Sequence, residues 1–330
     1  MQHIAMFQRL RHYSIFYLLL TCTFSACKKD LLHYQSVQQL DSHTTTDRFN
    51  KILFVNDSVG FIVGGQRFLN ATILITRDGG NTWQNYSFPE AGKELFGIAQ
   101  APSGIVYCTG FDGKLLYSSD TGNNWTFRQL QYYPYLDIAF TDATHGIIIG
   151  GVSFDEGFMA HVDDKGNTST QDSLGYQLNK IKMVDNQTGY IAAYGTVLKT
   201  TDAGQTWNPL NIKNDDFTGI YIPNNNEIWV CGYNGSIYHS PDAGQSWQRK
   251  RNGNDITIPR YRLLDIIFKD AATGWAVGES GIVIHTEDGG GHWEQYDHFT
   301  SNSLRSIVIL SNGDLLVAGD NGSLYRLKTM

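Results

Sequence analysis

The chain has little proline, little charge and few cysteines. Among its 330 residues there are 7 prolines and 4 cysteines, and 17% of positions are charged. The histidines show no metal-ligand spacing, so no metal and no cofactor is expected. The formal net charge is −7 with no polybasic tail and no nucleic-acid motif, which excludes general binding to a phosphate backbone. The one compact apolar run of the N-terminus, Ile15 to Thr21, is too short to span a bilayer as a stable helix. Against these shortages stand 34 Gly, 18 Tyr, 17 Phe and 7 Trp, the composition of many short strands joined by tight turns. An all-β fold follows.

The N-terminus has the layout of an export signal. Arg9 and Arg11 precede the apolar run, and Phe24-Ser25-Ala26-Cys27 then puts small residues before a cysteine, followed by the polar Lys28-Lys29-Asp30. This resembles the lipobox of bacterial lipoproteins. Residues 1–26 are expected to be a cleaved signal peptide, Cys27 the acylated first residue, and residues 27–32 a linker. An anchor of several acyl chains holds a protein on a membrane without crossing it, which places this one, exported, at a bacterial cell envelope.

The remainder is organised by a repeat. Thr76-Arg77-Asp78-Gly79-Gly80-Asn81-Thr82-Trp83 recurs as Ser118 to Trp125, Thr200 to Trp207, Ser240 to Trp247 and Thr286 to Trp293. Every copy fits Ser/Thr-x-Asp-x-Gly-x-x-Trp. A worn sixth copy covers Val162 to Ser169, with Asp164 in the aspartate place. Before each copy lie an apolar strand, a turn, a second strand that commonly ends in Gly, and a third strand. Units recur at intervals of 39 to 47 residues, near 50–88, 93–130, 134–174, 177–210, 216–250, 263–299 and 303–328. Four short strands fill such an interval, the signature of propeller blades.

The seventh unit stops after its third strand, while residues 33–41 resemble an outer strand, with Tyr34 in the tryptophan place. The N-terminal strand is therefore expected to complete the last blade and close the ring, giving a seven-bladed β-propeller over 33–330.

The run from Ile266 to Gly281, leading into Thr286-Glu287-Asp288-Gly289-Gly290, resembles the repeat of the photosystem II assembly and stability factor family, within the sialidase-type Asp-box (BNR) superfamily. The resemblance covers residues 33–328. It implies a propeller that holds a membrane or envelope protein during assembly, here with a partner outside photosynthesis. The superfamily's use of such propellers on sugars gives a second reading, a glycan-directed hydrolase or lectin.

The repeated aspartates Asp78, Asp120, Asp164, Asp202, Asp242 and Asp288 are assigned a turn-building role, and Trp83, Trp125, Trp207, Trp247 and Trp293 a packing role, because equivalent turns around a ring cannot converge on one substrate. No catalytic residue is assigned. A retaining sialidase needs converging arginines with a Tyr–Glu pair, and the Ile258-Pro259-Arg260 order does not match its arginine element. Cys108 and Cys231 share a repeat position in distant blades and are expected to be free, buried thiols. His239 and His285 share a position in adjacent blades. Lys51, Asp137, Lys180 and Asp265 form one column near the channel, with mixed signs that suit internal pairing. Partner contact is expected on the face of the blade-to-blade links and second-to-third strand turns, through Tyr132, Tyr133 and Tyr135 and through Arg249, Arg251, Arg260 and Arg262.

Overall fold

A computed structural model describes residues 31–329 except 214 and 259; residues 1–26, expected to be a signal peptide, and Cys27 lie outside the described residues. Seven four-stranded antiparallel sheets make up the domain. The first blade is typical, with strands Arg48–Phe54, Gly60–Gln66, Asn70–Thr76 and Gln84–Ser87 in that order. The other inner strands are Leu95–Gln100, Tyr135–Phe140, Leu178–Met183, Phe217–Tyr221, Leu263–Phe268 and Leu304–Ile309. Each touches the next and the last touches the first, so they enclose a central channel.

The ring closes as the repeat predicts. Ser36–Gln39 pairs antiparallel with Leu324–Lys328 and becomes the outer strand of the seventh blade. Tyr34 stacks on Tyr296 with ring centroids 4.3 Å apart and meets Phe299 edge-on, sealing the junction with the sixth blade. Leu32 adds a parallel bridge to Tyr296.

Seven apolar clusters lie between adjacent blades, one per junction. Second strands such as Val106–Gly110 and Gly274–Gly278 are therefore buried along their whole length, because a neighbouring blade covers each side. A glycine at or near the end of most second strands answers a close approach. A Cβ on Gly64, Gly150, Gly278 or Gly319 would sit 1.8–1.9 Å from the carbonyl oxygen that leads into the blade's own inner strand. Cys108 and Cys231 are free and buried, in different junctions.

The Asp-box is a turn that also serves these junctions. Asp78 Oδ1 accepts the N–H groups of Asn81 and Thr82 at 3.0 and 2.9 Å, and Oδ2 accepts the Thr82 hydroxyl at 2.7 Å. Thr76 Oγ1 donates to Asp78 and accepts the Gly80 N–H. Trp83 is 3% exposed and packs with Leu310 and Leu316 of the seventh blade, while Trp125 meets Phe61 of the first. Trp207, Trp247 and Trp293 likewise pack into junction clusters.

The worn copy needs a correction. Asp163, not Asp164, takes the turn: its Oδ1 accepts the N–H groups of Lys165 and Asn167 at 2.9 and 2.8 Å. Asp164 contributes only its carbonyl here, to the Tyr107 hydroxyl at 2.8 Å. The outer strand begins already at Thr168, so the turn is tighter and the capping carboxylate moves one residue upstream.

Candidate binding face around the central channel

All seven inner strands carry a register shift near their start, skipping Asn50, Phe96, Leu136, Asn179, Thr218, Leu264 and Arg305. A bulge re-aims its extra residue. Those seven side chains line one cavity of about 400 Å³ at the channel mouth, on the face of the blade links.

The residue after each bulge faces the channel below: Lys51, Gly97, Asp137, Lys180, Gly219, Asp265 and Ser306. Several of these satisfy a backbone N–H of the following blade. Asp137 Oδ2 accepts Ile181 N–H, Asp265 Oδ2 accepts Ile307 N–H and Ser306 Oγ accepts Ile52 N–H, each at 3.1 Å. Glycine stands at 97 and 219 because a Cβ there would come within 2.7 and 3.1 Å of the Cα of Asp137 and Asp265.

Lys51 Nζ lies 2.5 Å from Asp137 Oδ1, and Asp137 is fully buried. Burial pushes the Asp137 carboxyl up, but Lys51 and Lys180 outweigh it and hold the group below the usual carboxylate range. Confinement by the channel walls lowers Lys180 and Lys182. Lys182 is nevertheless open to channel solvent, so the walls reduce its basicity without sealing it from water.

Three arginines converge above this layer. Arg305 Nε meets Asp320 Oδ1 at 2.5 Å, and Arg48 Nε reaches the same oxygen at 3.2 Å. Arg48 Nη1 lies 3.4 Å from Glu94 Oε1, and Arg67 Nε 3.9 Å from Glu94 Oε2. The Arg67 guanidinium also stands 5.4 Å from the Phe111 ring centroid.

Exposed large apolar side chains gather on this same face. Phe68, Leu69 and Phe154 come from second-to-third strand turns, as do Tyr194 and Tyr233; Val152 is skipped by the register near the end of a second strand, and Tyr132 and Ile256 come from blade links. The others so exposed among the described residues, Leu31 and Val37, belong to the N-terminal segment. Phe154 and Tyr194 stack 4.6 Å apart, and Phe68 meets Phe111 edge-on at 5.3 Å.

The residues expected to bind are spread out rather than assembled. Tyr132 is 73% exposed, but Tyr133 stacks on Phe158 at 3.8 Å and Tyr135 is buried, its hydroxyl pushed up to about 12 by burial and then by Tyr133. Arg249 is exposed on an outer strand, away from the mouth. Arg251 donates to the Gly235 carbonyl, Arg260 to Asn254 of its own loop, and Arg262 pairs with Glu279 at 2.9 Å while covering Tyr233 at 3.4 Å. The mouth cations Arg48, Arg67 and Arg305 were not singled out by sequence reasoning. The signal was nearby, because Arg305 and Asn50 stand one place before the channel column. His239 and His285 each stack on the tryptophan of their own blade, at 4.1 Å on Trp229 and 4.8 Å on Trp275.

No family model matches the chain. A chloroplast photosystem II stability/assembly factor from Arabidopsis thaliana, HCF136, is 25% identical, over 64% of this chain and 69% of that protein. The structure described as YCF48 bound to D1 peptide superposes with a TM-score of 0.68 at 18% identity, covering 91% of this chain and 98% of that one. The chain resembles photosystem II stability and assembly factors. A catalytically inactive virginiamycin B lyase from Staphylococcus aureus shares the fold as closely, with a TM-score of 0.71 at 12% identity over 89% of this chain and 99% of the lyase. Propeller architecture alone therefore does not choose between a scaffold and an enzyme.

Proposed function

We propose that this protein is a non-catalytic scaffold, tethered to a bacterial envelope membrane through a lipid on Cys27, that holds a membrane or envelope protein during assembly by its channel-mouth face. One observation carries the reading: the exposed aromatic and aliphatic side chains collect on that face, where burying each in a partner would contribute about 1.5–3 kcal/mol. The likeness to HCF136, an assembly factor by name, and to a YCF48 structure holding a peptide supports a protein partner. Glu94 and Asp320, the carboxylates beside the mouth, share Arg48 as counter-ion, an arrangement that suits ion pairing better than acid–base work on a glycan.

The test is cross-linking on intact cells. Changing Phe68, Leu69 and Phe154 together to serine is expected to cut recovery of the preferred membrane-protein partner at least tenfold while the variant remains folded. Unchanged recovery would refute the choice of face.

A further inference from the structure

Resting on that scaffold reading, we propose that the channel mouth is an oxyanion site that takes a doubly negative group, either two neighbouring carboxylates or a phosphate, with an apolar flank. Four cations, Arg48, Arg67, Arg305 and Lys180, line the cavity, and no acidic residue does. Among the described residues, only Glu94 and Asp320 reach these cations at ion-pair distance. Lys180 has no such partner among the described residues; Asp137 and Asp265 act on it from farther away. Two carboxylates against four cations leave two positive charges over, at the mouth of a protein whose net charge is −7.

The geometry favours a ligand over a solvated face. The cations come from the seventh, first and fourth blades and meet over a floor with little left to donate. Asn50 gives its amide to Glu94 and Leu95, and Asn179 gives its amide to Asp216 and Phe217. Recognition thus falls to the guanidiniums and the ammonium, which in a recessed site are less screened than on an open surface. Glu94 Oε2 is buried without a hydrogen bond while Arg67 stands 3.9 Å off, so Arg67 is loosely held and free to engage a second anion. Phe96, Phe111, Leu136 and Val152 form the apolar walls. A volume of about 400 Å³ admits a few residues of a chain or a small solute, and excludes a folded domain.

Isothermal titration of the full chain in detergent tests the site with three probes: inorganic phosphate, citrate, and a short peptide with two adjacent glutamates between leucines. Saturable binding is expected, weakening roughly tenfold between 0.05 and 0.3 M salt. Arg67→Gln should weaken it at least about fivefold without moving the melting temperature, since Arg67 stands 3.9 Å from Glu94 and is half exposed; Lys180→Gln should weaken it as much while lowering the midpoint, because Lys180 also helps to hold Asp137 charged. Binding of the peptide alone identifies a polypeptide source, and binding of phosphate or citrate a solute; either outcome supports the site. Absence of saturable binding for all three, or binding indifferent to both substitutions, overturns it. If partner recovery on cells survives while these titrations fail, the scaffold reading stands without the oxyanion site.

Discussion

Replacing Asp137 by asparagine removes one charge from the channel and leaves the shape almost unchanged. Asp137 is fully buried and Lys51, its partner at 2.5 Å, is only 12% exposed. Taking away one member of such a pair strands the other, at a cost of about 3–5 kcal/mol. Lys180 and Lys182 would add like-charge repulsion, with Asp265 the one remaining channel carboxylate of the column. The asparagine oxygen can still accept the Ile181 N–H, so no orphaned donor adds to the loss. At about 1.6 °C per kcal/mol for a domain of this size, the midpoint of thermal unfolding should fall by roughly 5–8 °C. Circular dichroism melts would measure it. A double-mutant cycle with Lys51→Met should return about 1–3 kcal/mol of coupling. A fall of less than about 2 °C, or additive single effects, would mean that channel water screens the pair and that the column does not stabilise the ring.

Two further outcomes test the closure and the turns. Tyr34→Phe should leave the urea midpoint unchanged or slightly raised, because the hydroxyl is buried without a partner, whereas Tyr34→Ala should cost about 3 kcal/mol by emptying the stack on Tyr296 and Phe299; the opposite ranking would argue against Tyr34 as the seal. Asp120 is held down to about 2, first by the Asn124 N–H, and Asp202 to about 2, first by the Thr206 hydroxyl. Both lie below the unfolded value of about 3.9, so their stabilisation is full above about pH 4 and is lost as pH falls toward 2. Melts across that window should show the loss, and Asp120→Asn with Asp202→Asn should flatten it; an unchanged pH profile in the double variant would discount the box carboxylates.

Much of the architecture was legible because it is local. The box, with Asp78 accepting from Asn81 and Thr82, is contained within a few residues, and its recurrence counts the blades. Closure was legible too, since a last unit missing an outer strand and an N-terminal strand missing a sheet complement one another. The proposed binding face was legible only as a face. Tyr133 and Arg262 looked available in sequence, but whether an aromatic or a cation is free depends on neighbours such as Phe158 and Glu279.

The sequence by itself determined the repeat, the turns and the closed seven-bladed ring, because each rests on turn chemistry and strand periodicity within short stretches. Only the tertiary structure decided the mouth. A bulge moves one residue of every inner strand onto another face, and alternation along a strand does not disclose it. Ring geometry then gathers Arg48, Arg67, Lys180 and Arg305 around one opening from positions far apart in the chain.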